Sequence, residues 1–221
     1  SNTADSFALR NTISATQNND ADDDQFGSAV AMTKDGLRVF VGSPFTSDVV
    51  KLTVSATAEN FPRTTVLSGG TSSATGTVLY NDPNDDIIYV KMTSTADFVG
   101  GELLGTADSS SLVTVTKVQG ANGVNQGVVH VIKADASFQF GLTQIITAPD
   151  VGPGEKFGSA IATSDDGTFL VIGASSGPND SSLQNQGTVY VYKYEADGSS
   201  AIYTLWQTLT PNNREIGEKY G

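Results

Sequence analysis

Two stretches of the 221-residue chain carry oxygen donors at the spacing a hard cation needs. Asp20, Asp22 and Asp24, preceded by Asn18 and Asn19, place carboxylates at every second position, and Asp82, Asn84 and Asp86 repeat the spacing. Calcium takes about six to eight oxygens, and a tight acidic loop can supply several of them. Calcium is therefore the one cofactor the sequence nominates; the alternative is none, with both stretches as solvated acidic loops. Neither stretch completes an EF-hand loop. Gln25 and Ile87 stand where the sharp turn needs Gly, and Ala31 and Thr93 stand where the bidentate Glu belongs.

Other chemistry is sparse. The chain has no Cys, which excludes disulfides, thiolate zinc sites, iron–sulfur clusters and Cys nucleophiles. The single His, His130, lies between Val129 and Val131 with no triad pattern around it, and reads as a packed strand residue. Asp and Glu number 24, so carboxylate pairs for glycoside hydrolysis are available, but nothing selects one pair. Tyr203 and Trp206 read as core residues of a late strand, with a sugar-stacking platform as the alternative. The net charge of −12 repels phosphate backbones and anionic lipid, so nucleic acid is not expected as a partner. No apolar stretch approaches the roughly 18 residues of a membrane helix, so no membrane insertion is expected. Residues 1–15 lack the basic start and apolar run of a secretory leader.

The elements that must position these residues are short strands. Charged residues are 16% and hydrophobic residues 38%, and the apolar residues come in runs of about five between Gly, Asn, Asp and Ser clusters. Leu37–Val41, Val128–Ile132 and Thr188–Tyr192 are examples. No stretch shows convincing helical periodicity. The fold class is therefore all-β, built as a sandwich, barrel or propeller.

The chain also repeats itself. Gln25–Gly36 (QFGSAVAMTKDG) aligns without a gap on Lys156–Gly167 (KFGSAIATSDDG), and the match extends to Gly42 and Gly173. Asn125-Gln126-Gly127 recurs as Asn185-Gln186-Gly187, and Gln144-Ile145-Ile146 recurs as Gln207-Thr208-Leu209. Gly154-Glu155-Lys156-Phe157-Gly158 recurs as Gly217-Glu218-Lys219-Tyr220-Gly221. Each unit contains four strand-like segments, and its Asp-Gly is a hairpin signal because that turn needs positive φ. Four antiparallel strands per repeat is the make-up of a propeller blade.

These motifs resemble FG-GAP repeats, the blades of integrin-α-type β-propellers. The first half of the motif is Phe26-Gly27, Phe157-Gly158 and Tyr220-Gly221; the second is Gly42-Ser43-Pro44 and, in degenerate form, Gly173-Ala174-Ser175. The resemblance implies a binding or scaffolding module at a particle or cell surface. It also implies that Phe26, Gly27, Gly42, Gly127, Phe157, Gly158, Gly173 and Gly187 are structural residues of the blades. Integrin-type blades hold calcium in an Asp-rich loop after the Phe-Gly strand. The corresponding turns here, Thr33–Gly36 and Ser164–Gly167, have fewer carboxylates than that role requires.

The spacing is broken once. Phe157 and Asn185 are close in sequence, but Phe26 and Asn125 are separated by an insertion of roughly residues 48–118. The insert has its own strand pattern, at Val49–Val54, Thr75–Tyr80, Ile87–Met92 and Leu112–Val118, and reads as a small β domain. Its Gly-rich segments, Leu67–Gly76 and Asp97–Gly105, resemble short β modules in structural and tail proteins of large marine phages. The expected organisation is then an N-terminal strand with the first half of blade one (1–47), the insert (48–118), the second half of blade one (119–155), blade two (156–216) and the start of a further blade (217–221).

Two blades make an incomplete ring, since closure takes about four to eight. Either the chain is part of a longer propeller or several chains assemble one. The expected function is non-enzymatic: a structural or attachment protein of a virion or phage tail. The first alternative is a secreted bacterial adhesin that binds protein or glycan partners, with calcium as a candidate requirement. The second is a glycan-acting hydrolase. The expected location is a virion or the extracellular space. The expected partners are other protein chains, through self-assembly or within a parent polypeptide, with a glycan or cell-surface receptor as further candidates.

Overall fold

The computed structural model describes residues 12–13, 24–55, 61–82, 86–106, 109–119, 125–149, 154–176, 187–197, 200–211 and 220. The strands in chain order are β1 (Ala29–Met32), β2 (Arg38–Ser43), β3 (Val49–Val54), β4 (Val66–Gly69), β5 (Thr75–Asp82), β6 (Ile87–Met92) and β7 (Leu103–Thr106). They continue with β8 (Ser109–Gln119), β9 (Val128–Ala134), β10 (Phe140–Ile146), β11 (Phe157–Thr163), β12 (Phe169–Ala174), β13 (Thr188–Asp197) and β14 (Ser200–Leu209). No helix occurs among the described residues.

Two antiparallel four-stranded sheets have the order β1-β2-β9-β10 and β11-β12-β13-β14. Their registers coincide residue for residue. Ala31 pairs with Phe40 as Ala162 pairs with Val171, and Ala134 pairs with Phe140 as Tyr194 pairs with Tyr203. Both last strands break register at the same place, Thr143 in β10 and Trp206 in β14. The backbone repeats as well: φ is +53° at Gln25 and +55° at Lys156, and +91° at Gly27 and +87° at Gly158. The repeated motif is thus a main-chain conformation, and Gly at the second of its two positive-φ positions avoids a steric cost that a Cβ would incur.

The two blades share one core. Phe40, Val129 and Val131 of the first pack against Phe157, Leu170, Ile172, Tyr190 and Tyr203 of the second. Asn125-Gln126-Gly127 forms the seat for the second Phe-Gly: the Lys156 N–H donates to the Asn125 carbonyl (2.9 Å) and the Phe157 N–H to the Gln126 carbonyl (3.0 Å). A Cβ at Gly127 would overlap the main chain of Phe157. Tyr220 lies over Gly187 in the same way.

Between β2 and β9 the chain leaves the blade and builds a closed barrel, β3-β6-β5-β4-β7-β8. Closure removes the free edges that an inserted sheet would otherwise expose. Its interior is filled by Leu52, Phe61, Leu67, Ile88, Phe98, Leu104 and Val115, among others. Four of its strands lie where the sequence pattern marks them. β4 and β7 are additional, only four residues each and flanked by Gly, too short for alternation to reveal. Phe7–Ala15, expected as an N-terminal strand, lies largely outside the described residues.

Candidate functional site

The barrel is fixed to its blade from several directions. Val49, Leu79 and Tyr89 pack against Val128 and Ile145 of blade one. The Val49 N–H donates to Gln126 Oε1 (3.0 Å, buried), so the residue that seats Phe157 also holds the first barrel strand. Lys91 of β6 lies 3.3 Å from Asp24, with both side chains largely buried. The bulge in β10 turns the Thr143 carbonyl outward, and the Tyr80 hydroxyl of the barrel donates to it. One residue on, Gln144 points to blade two. Its amide accepts from the Tyr203 N–H and donates to the Tyr203 carbonyl, both at 2.9 Å, standing in for a neighbouring strand.

These contacts frame a cleft of about 450 Å³ between barrel, blade one and blade two, lined by Lys51, Tyr80, Tyr89, Gln119, Tyr192 and Leu205 among others. Its tyrosines are committed to the frame. Tyr192 donates to the Thr147 carbonyl (3.1 Å) and Tyr203 to the Gly167 carbonyl (2.6 Å). Burial pushes the Tyr203 hydroxyl's pKa up, against the opposing pull of the neighbouring Arg38.

At the far end of the barrel, the Gly-rich segments meet at Glu102. Its carboxylate accepts from the N–H groups of Thr71 (3.2 Å), Ser72 (3.0 Å) and Val99 (2.7 Å), and from the Ser72 hydroxyl. Burial alone would raise its pKa, but the donors from Ser72, Val99 and Thr71 outweigh that and hold it below the usual range. The result is a stiff loop tip carrying exposed Val99 and Leu103. Glu102 was not singled out from the sequence; the glycines on both sides of it were the only signal.

The calcium candidates divide. Asp20, Asp22 and Asn84 lie outside the described residues, as does the side chain of Asp82. Asp24 is buried against Lys91, and Asp86 lies just before β6 at φ +54°. Among the described residues no group of three or more His, Asp or Glu stands together to hold a metal. The hairpin carboxylates are bonded internally: Asp35 accepts from the Thr33 hydroxyl (2.6 Å) and the Leu37 N–H (2.9 Å). Asp166 accepts from the hydroxyls of Ser164 and Thr168, both at 2.6 Å, which pulls its pKa down to about 2.

His130 is fully buried, edge-on to Phe26 at 5.2 Å, as its counterpart Tyr190 meets Phe157 at 5.5 Å. Burial, reinforced by the charge of Arg63, holds its imidazole pKa down at about 4. Tyr203 is in the core, but Trp206 is not: it is 59% exposed. Trp206 is the bulge residue of β14, three residues beyond inward-facing Tyr203 and so off its face by simple alternation too, and Lys193 Nζ lies 4.8 Å from its ring centre.

Residues 140–192 match the family model of the FG-GAP repeat. The matched segment runs from β10 through the first half of β13, across the junction of the two blades. Repeats of this kind build β-propellers of the adhesion and surface type. A comparison with curated proteins returned no match.

Proposed function

We propose, from the FG-GAP repeat at residues 140–192 and the barrel seated beside it, that the chain is a non-enzymatic surface module: the blades are the mount and the barrel is the part that meets a partner. The observation that carries this reading is the anchoring of the barrel at Gln126, whose carbonyl also seats Phe157 of blade two, together with its ties to Asp24 and to the Thr143 carbonyl of blade one. A domain fixed in this way keeps its orientation, which suits attachment better than turnover. We further propose a virion or tail surface as the setting, with a secreted adhesin as the alternative. The support is the acidic, Cys-free composition and the phage-like glycine pattern of the insert. The partner is a protein or glycan.

The test is a titration of the chain over immobilised glycans and intact bacterial cells, alongside a Val99→Asp/Leu103→Asp variant of the barrel tip. Binding that the variant loses supports the reading. Equal binding by both refutes the barrel as the contact part. Turnover of a polysaccharide, abolished by a single carboxylate substitution, refutes the non-enzymatic assignment.

A further inference from the structure

The blade junction is keyed by particular side chains. Arg38 of blade one donates to the Gly167 carbonyl (3.1 Å) and the Tyr203 hydroxyl (3.0 Å), and its guanidinium lies 4.1 Å from the centre of the Tyr194 ring. Beside it, the Lys34 N–H donates to the Asp165 carbonyl (3.0 Å), and Lys34 Nζ lies 3.6 Å from the Asp165 carboxylate.

Because the registers coincide, the counterpart of every one of these residues can be found on the outward faces. On the far face of blade two, Phe169 stands where Arg38 stands on blade one, and it is 39% exposed. On the far face of blade one, Ala134 and Phe140 stand where Tyr194 and Tyr203 stand on blade two. A groove of about 620 Å³ lies there, with Ala134, Phe140 and Leu142 as its apolar lining beside Lys133, Asp135 and Gln139. Val30 and Met32, counterparts of the junction residues Ile161 and Thr163, are each 58% exposed on that same side. The charges exchange in the same sense. Asp165 holds the position of Lys34 on blade two, and Lys34 holds the position of Asp165 on blade one.

We propose that the outward faces fit each other, so that the second blade of one copy docks head-to-tail on the first blade of another. Phe169 enters the Ala134–Phe140–Leu142 groove, and Asp165 lies opposite Lys34. A polar key (Arg against Tyr-Tyr) joins the blades within a chain; an apolar key (Phe against Ala-Phe) joins blades between chains. Two unlike keys prevent either face from accepting the wrong neighbour. The seat on Gly187 stays with Tyr220, so the contact is confined to the hairpin ends of the blades. Only the blade faces take part in this contact, whatever the barrel meets. A heterologous contact of this kind leads to rings or filaments.

The experiment is light scattering of the full chain over a concentration series. A mass that rises above the 23.0 kDa of one chain is expected. Phe169→Arg and Met32→Glu, each on a solvent-exposed residue, should each hold the chain at the single-copy mass. Each leaves the other face intact, so mixing the two variants in equal amounts should yield a species of twice that mass. A wild-type chain that stays at 23.0 kDa throughout overturns the proposal, because the faces then serve some other neighbour. So does association that survives both substitutions, or a mixture that fails to pair while both variants keep the wild-type circular dichroism spectrum.

Discussion

Replacing Phe157 by Ala tests whether the Phe-Gly motif acts through its ring. The ring is completely buried, 5.5 Å from the centre of Tyr190 and 6.2 Å from that of Tyr192, in the core that both blades share. Its main-chain bond to Gln126 does not depend on the side chain, so the substitution isolates the packing contribution. Truncation of a buried Phe costs about 3–5 kcal/mol, combining lost transfer energy with the cavity left behind. The upper half of that range is expected, because aromatic pairs add roughly 0.5–1.5 kcal/mol and Tyr190 and Tyr192 are themselves held by the surrounding sheet. Trp206 is the single tryptophan and lies in β14, so its fluorescence in a urea titration reports the second blade directly. Phe61→Ala, in the barrel core, serves as the control that should leave the blade transition in place. A loss below about 1 kcal/mol at unchanged urea dependence would refute the shared-core account of the junction, since that is the range of a surface substitution rather than a core one.

His130 titrates at about 4 in the folded chain against an ordinary 6.5, so the unfolded chain takes up a proton first as pH falls. Its contribution to stability is complete above pH 6.5 and is lost on descent toward pH 4, by about 3 kcal/mol from the linkage relation; urea midpoints for the chain and His130→Gln should converge over that window. Gly127→Ala sets a Cβ against the main chain of Phe157 at a φ of +82°, and should separate the blades' transition from the barrel's in differential scanning calorimetry, where a single unshifted transition would count against it. Glu102→Ala removes the charged acceptor for three main-chain donors at the barrel tip, which then turn to water, at a local cost of about 1.5–3 kcal/mol, the range of a hydrogen bond to a charged group. Hydrogen exchange at Thr71, Ser72 and Val99 should accelerate accordingly, and unchanged protection would show that the loop is held by something else.

The blades were legible because their pattern is periodic and written twice. Strand segments after Phe-Gly, Asp-Gly and Asn-Gln-Gly need no tertiary information to be found, and an offset repeat reveals both the unit and its interruption. What was not legible depends on details that composition and strand pattern leave out. Trp206 looks internal by composition, but it sits at the bulge of β14, an odd number of residues from buried Tyr203, and faces outward. The insert's closure rests on β4 and β7, whose four residues are bounded by glycines that read equally well as loop. The tethering of the barrel runs through Gln126 and Lys91, ordinary polar residues whose importance lies in where the fold brings them.

The barrel's ends have a kinetic consequence. Ser43 and Val128 are paired across β2 and β9 although 85 positions separate them, and until that pair forms the first blade has no middle. Closing so long a loop from an unfolded chain is entropically slow. The intervening residues, however, form a barrel in which Lys51 is already paired with Gln119. Once the barrel has folded, the span left to close is about a fifth as long, which lowers the closure cost by about 1.4 kcal/mol. The insertion that interrupts the blade is thus also the splint that sets it, and a substitution in the barrel interior should delay assembly of a sheet it never touches.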